Sequence, residues 1–134
     1  MATKTTPIDL TISTHASQQD ALLLVQVLNG PMGLRAMDGM ALLSTYDKAP
    51  THAQFVKDHP VGSDGYRNVH ALLNLNEMVA TFVKQGLLDK GLVYDLLWVT
   101  GAWERAKGIA LHERERANEP EIYANFERLA AAQP

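Results

Sequence analysis

The apolar residues of this chain recur at the period of an α-helix in every long periodic segment. In the stretch from 64 to 85, Leu72, Leu75 and Val79 follow the spacing that places side chains on one helical face. Only IDLTIS, residues 8–13, alternates with the two-residue period of a strand. One short strand has no partner with which to form a sheet, so the pattern predicts an all-α protein.

Residues that cap or break helices divide the chain into segments. Ser17 is a typical N-cap, and the run Asn-Gly-Pro at 29–31 ends one helix and begins the next. Pro60, Gly86 and Asn118 mark further boundaries. The predicted helices cover residues 17–29, 31–46, 51–59, 64–85 and 90–117, with a last helix after 118.

These segments predict a compact bundle of five or six helices. The connection QGLLDK between 64–85 and 90–117 is short, so we expect these two helices to form a central antiparallel hairpin. Residues 17–134 are long enough for one helical domain. Residues 1–16 are predicted to be an extended or disordered arm.

Composition excludes several classes of protein. The chain contains no cysteine, which excludes a disulfide framework and zinc sites built on thiolates. Its formal net charge is −3, so no basic field attracts nucleic acid. The longest strongly apolar run, ALLLVQVL, is too short to span a bilayer. We expect a cytoplasmic protein that has no membrane-spanning segment and binds no nucleic acid.

The segment 90–117 presents two apolar surfaces when it is drawn as one helix. Trp98 lies roughly 140° around that helix from Trp103, with Tyr94 and Ile109 near Trp98. The stripe that includes Trp103 also contains Leu92, Leu96, Val99, Ala106 and Ala110. We expect Trp103 to pack in the core. The second surface needs another helix, another subunit or a ligand. We predict that Tyr94, Trp98 and Ile109 form an interface, either in a homodimer or with another protein.

Asn76 falls inside the apolar arc of the segment 64–85. A buried amide without hydrogen-bond partners costs about 1–3 kcal/mol, so Asn76 needs a backbone carbonyl of a neighbouring helix or a ligand. Met37 and Met40 lie in the second predicted helix, and methionines suit either adaptable core packing or a binding groove. Asn76, Met37 and Met40 are therefore the candidate ligand-binding residues of a pocket between helices.

His70 and Glu77 share one stripe of the segment 64–85, where they are candidates for metal binding or acid–base chemistry. The stripe is more simply interpreted as the solvated face of an amphipathic helix. The sequence contains no HExxH, GxGxxG, P-loop or GxSxG motif. We expect no metal, no cofactor and no catalytic residue.

The second half of the chain carries a pattern of short motifs. Leu75 and Asn76 begin an LNxxE element, GLLD follows at 86–89, and Trp103 lies within the next helix. An arginine, at 114 or 116, closes that helix, and a YxxFExL element ends the pattern at 123–129. In these motifs the chain resembles a bacterial family of helical domains of unknown function. The resemblance implies a helical domain and no reaction.

Two functions fit the sequence. The first is a non-catalytic helical module for interaction or assembly. The alternative is a small-molecule-binding regulator or enzyme with a pocket between the bundle helices. A pocket of roughly 300 Å³ or more with convergent polar groups would favour the alternative, whereas a flat apolar patch on a two-fold axis would favour the first.

Overall fold

A computed structural model describes residues 15–134, and every regular element in that range is a helix. The helices are α1 (Gln18–Asn29), α2 (Pro31–Leu43), α3 (His52–Asp58), α4 (Asp64–Lys84), α5 (Lys90–Leu96), α6 (Val99–Ala117) and α7 (Ala124–Ala132). The predicted all-α class is confirmed for the described residues. They form seven helices rather than five or six, because the predicted helix 90–117 is interrupted. The stretch IDLTIS lies outside the described residues.

The predicted N-caps form the hydrogen bonds that fix the helix starts. The side chain of Ser17 accepts a hydrogen bond from the backbone N–H of Asp20. The side chain of Asp20 accepts one from the backbone N–H of Ser17, which completes a capping box. The hydroxyl of Thr51 caps the N-terminus of α3, and the carboxylate of Asp89 caps the N-terminus of α5, in the same way. Each cap satisfies a backbone donor that has no partner inside its helix.

The most extensive helix pair in the bundle is α2 and α4. A Cβ atom on Gly39 would lie 2.2 Å from the backbone oxygen of Asn68, so only glycine permits this approach. One turn along, Leu42 lies beside Gly65, which shows that α2 and α4 run antiparallel. The predicted central hairpin of 64–85 with 90–117 is not confirmed, because α4 packs most extensively against α2 and then against α7.

The prediction of one continuous helix from 90 to 117 is wrong. The chain becomes extended at Leu97, with φ −127° and ψ 133°, and α6 begins only after Trp98. The Trp98 ring then folds over Gly101, where a Cβ would lie 2.3 Å from ring atom Cδ2. Only a glycine at position 101 leaves room for the Trp98 ring, which belongs to the residue three positions earlier.

Residues near the C-terminus hold this break in place. The side chain of Gln133 donates from Nε2 to the carbonyl of Leu97 at 3.2 Å. Its Oε1 accepts from the backbone N–H of Thr100 at 2.8 Å, in the first turn of α6. The hydroxyl of Thr100 also donates to the carbonyl of Ala130. Gln133 thus satisfies backbone groups on both sides of the break. Trp98, the N-cap residue of α6, makes no capping hydrogen bond with its own side chain.

The two tryptophans lie in different surroundings, one in the core and one at the surface beside the break. Trp103 is 7% exposed and packs edge-on against Phe126, with 5.2 Å between ring centroids. The guanidinium of Arg114 lies 5.6 Å from the centroid of the Trp103 ring. The predicted core position of Trp103 is confirmed. Leu96, predicted on the same stripe, is 58% exposed because it lies on the other side of the break.

The bridge made by Gln133 gives a direct test of the break. Gln133→Ala should lower the free energy of unfolding by about 0.5–2 kcal/mol, as loss of a helix cap does. The comparison is Gln26→Ala, an exposed glutamine of α1, which should change stability by less than about 0.5 kcal/mol. Urea denaturation of both variants measures the difference, and equal stabilities would contradict the bridging role.

Candidate functional site

An apolar cavity lies where the end of α1, α2, α4 and the α5–α6 break meet. Its volume is about 320 Å³. The lining residues are Leu28, Ala36, Met37, Met40, Leu72, Leu75, Asn76, Leu97, Trp98 and Ala102. All three residues predicted to bind a ligand, Asn76, Met37 and Met40, therefore line one cavity. Trp98, predicted as an interface residue, lines the same cavity.

The helical periodicity of α2 and α4 places these residues together. Ala36 and Met40 are one turn apart on α2, and Leu72 and Asn76 are one turn apart on α4. Ala36 and Ala102 are buried alanines, whose short side chains leave space between the helices. The cavity thus results from small residues at a point where larger ones would close the gap.

Two large side chains lie at the solvent side of the cavity. Trp98 is 71% exposed and Met37 is 65% exposed, although both contribute to the lining. Exposed aromatic and methionine side chains beside a cavity are typical of surfaces that bind apolar groups. The break before α6 accounts for the exposure of Trp98, since a continuous helix would carry its ring along a different direction.

Asn76 supplies an amide group to this apolar lining. The prediction that it is buried is confirmed, since it is 5% exposed. Its Nδ2 donates to the carbonyl of Leu72 at 2.9 Å, within α4 and not across to a neighbouring helix. Among the described residues, no donor is hydrogen-bonded to Asn76 Oδ1. That oxygen is therefore an acceptor available to a molecule in the cavity.

The lining contains no titratable side chain. Its polar groups are the Asn76 amide and the Trp98 indole N–H. General acid–base and nucleophilic catalysis both need a group that gains or loses a proton. No described residue of the lining supplies such a group.

The three predicted interface residues do not share a surface. Ile109 is fully buried inside the chain. Tyr94 is partly buried, and its hydroxyl donates to the carbonyl of Leu129 at 2.7 Å; burial raises the pKa of Tyr94. Only Trp98 presents a large exposed area. The α5–α6 break is the physical reason, because it rotates α5 and α6 relative to each other.

The predicted solvated stripe of α4 is covered by other helices: Glu77 contacts α7, whereas His70 lies against Glu113 of α6. Glu77 Oε1 accepts from the backbone N–H of Phe126 at 3.0 Å, which caps the start of α7. Asn74 accepts a hydrogen bond from the hydroxyl of Tyr123. The part of the stripe around Glu77 thus serves as the docking face of α7. Within residues 15–134, no three histidine or carboxylate side chains are arranged to hold a metal ion.

A second group of polar side chains joins α3, α4 and α6, and sequence analysis did not identify it. The rings of His52 and His112 are stacked, with centroids 3.4 Å apart and planes 5° apart. His70 Nε2 lies 3.9 Å from the Glu113 carboxylate, which also binds Arg116 at 2.7 Å. The hydrogen bond from Arg116 is the main reason that the pKa of Glu113 is lowered. The three histidines, His52, His70 and His112, are far apart in sequence and follow no motif.

No helix in the described part of the chain has both the length and the apolar character required to cross a membrane. This finding accords with the sequence, in which the longest apolar run is short.

Comparison with known proteins places the chain in a family. No curated protein and no solved structure matches it. The sequence profile of a family described as a domain of unknown function, DUF4760, matches residues 8–133. The resemblance to a family of helical domains of unknown function is confirmed, and the match covers the first half of the chain as well as the second. The chain belongs to the DUF4760 family.

Proposed function

We propose that this domain is a non-catalytic binding module whose cavity takes a small, largely apolar molecule with one hydrogen-bond donor. The observation that carries the proposal is the amide of Asn76, whose Oδ1 accepts no hydrogen bond from a described residue, in a largely apolar cavity of about 320 Å³. Ligand cavities usually have volumes of about 300–1,000 Å³ and a few well-placed polar groups in an apolar lining.

The energetics of such a ligand follow from the lining. Transfer of apolar surface from water contributes about 25 cal/mol for each Å² that is buried. A hydrogen bond to Asn76 adds about 0.5–1.5 kcal/mol and favours molecules that carry a donor. The apolar term therefore supplies most of the affinity, while Asn76 supplies selectivity.

Binding without catalysis agrees with a lining that has no titratable side chain among the described residues. A cysteine-free chain also suits the reducing cytoplasm, where we place it.

Self-association through Trp98 is the second candidate function. Its support is the 71% exposure of Trp98, together with the exposure of Met37 beside the same cavity. Aromatic side chains contribute strongly to protein interfaces when a partner covers them. In this interpretation a second copy of the chain, rather than a small molecule, covers the cavity.

The ligand proposal is tested with 1-naphthol and naphthalene, which differ by one hydroxyl group. We expect 1-naphthol to bind up to about tenfold more tightly, because only its O–H donates to Asn76 Oδ1. Asn76→Leu should remove this difference while leaving naphthalene binding in place. Equilibrium dialysis measures both dissociation constants, after circular dichroism has shown that the variant is folded.

Two alanine substitutions on α2 provide matched controls. Ala36→Leu extends a side chain into the cavity and should abolish binding of both probes. Ala41→Leu makes the same change at an exposed position of the same helix and should leave binding unchanged. Equal binding by these two variants would show that the probes bind elsewhere and would overturn the proposal.

The second candidate is tested by alanine substitution of the two tryptophans. Trp98→Ala should leave a folded chain and weaken any association, because the exposed ring contributes little to the core. Trp103→Ala should instead lower the free energy of unfolding by roughly 3–5 kcal/mol, as for large aromatic residues in cores. Sedimentation velocity at several concentrations and thermal melts measure the two effects. An unchanged sedimentation coefficient for Trp98→Ala would remove self-association through this surface.

A further inference from the structure

The short helix α3 is attached to the bundle through few contacts. Phe55 is its fully buried side chain. Next to α3, the carbonyl of Pro50 lies so close to Gly108 that a Cβ there would be 2.8 Å away. Arg105 donates from α6 to the carbonyl of Tyr46 at 2.8 Å, in the loop before α3. The stacked rings of His52 and His112 complete the attachment of α3 to α6.

We propose that the stacked pair of His52 and His112 is a pH-sensitive latch, which holds α3 against α6 while His52 is neutral and loosens when His52 gains a proton. The two rings lie parallel and in contact, with centroids 3.4 Å apart, so they pack α3 directly against α6. A positive charge on His52 is disfavoured in this contact by burial and then by the neighbouring His112. The proposal concerns regulation and does not depend on a ligand in the cavity.

The charged groups around the pair give a proton on His52 little compensation. His70 faces His52 from α4, and Glu113 and Arg116 face it from α6. Among the described residues, the carboxylate of this group is Glu113, which is already bound to the guanidinium of Arg116 at 2.7 Å.

His70 also lies beside that carboxylate. Its Nδ1 lies 3.0 Å from the carbonyl of Tyr66, to which it donates a hydrogen bond. Its Nε2 is buried, has no hydrogen-bond partner among the described residues, and lies 3.9 Å from Glu113. Glu113 is thus in contact with both Arg116 and His70.

The direction of the pH effect follows from the state of His52. Burial, and then the neighbouring His112, lower the pKa of His52 below its ordinary value of 6.5. A group with a lower pKa in the docked state binds fewer protons there than after release. The docked state is therefore fully stable above pH 6.5 and loses stability as the pH falls below that value. Since the pKa of Glu113 is lowered from 4.5, its carboxylate stays ionised over this range.

Hydrogen exchange at the Phe55 amide reports the release of α3, because this amide bonds to the carbonyl of Thr51 inside the helix. We expect its protection factor to be lower at about pH 5 than at about pH 7.5, because the released state binds more protons than the docked state. The protection factor already corrects for the effect of pH on chemical exchange. The amide of Val79, in the buried part of α4, should keep its protection over the same range.

Three variants separate the latch from a general effect of acid. His52→Phe keeps an aromatic ring on His112 but cannot be protonated, so the fall at Phe55 should disappear. His112→Gln removes the other ring and should make the fall smaller, because burial still disfavours the charge on His52. His59→Gln changes a histidine at the other end of α3 and should retain the fall. A fall of the same size in His52→Phe, or no fall in the unmodified protein, would overturn the proposal.

Discussion

The two hydrogen bonds of Gln133 determine the arrangement of the cavity side of this protein. They join the last carbonyl of α5 to the first turn of α6 across the break at Leu97. Without a break, Trp98 would continue along a helix and its ring would leave the position over Gly101. The hydrogen bonds from Thr100 and Tyr94 to the backbone of α7 support the same geometry. The position of Trp98 beside the cavity therefore depends on a glutamine near the end of the chain.

Small residues have two effects on packing in this bundle: a glycine allows two helices to approach closely, and two alanines leave a cavity. Gly39 brings the backbone of α2 against Asn68 of α4, which fixes the distance between the helices at one end of their contact. Further along, Ala36 of α2 and Ala102 of α6 are buried alanines that do not fill the space between the helices. Asn76 of α4 then supplies the amide group. Close backbone contact and local underpacking thus occur on the same helix, α2.

Sequence predicted those parts of the structure that depend on local pattern. Asn76, Met37 and Met40 lie on arcs defined by helical periodicity, so their meeting in one cavity followed from packing these arcs together. The α5–α6 break depends on Gln133, which is remote in sequence from Leu97, and no local signal marks it. The predicted grouping of Ile109 with Trp98 failed for the same reason. The stack of His52 on His112 requires two helices to meet and could not be deduced from spacing.

The central claim is that Trp98, and not Trp103, lies at a cavity that binds a small apolar molecule. The chain has two tryptophans, so incorporation of 5-fluorotryptophan should give two ¹⁹F resonances. Trp98→Phe assigns them, since it removes one. Titration with 1-naphthol should then shift the Trp98 resonance until it saturates and leave the resonance of the buried Trp103 in place. No shift of the Trp98 resonance, or equal shifts of both, would contradict this account.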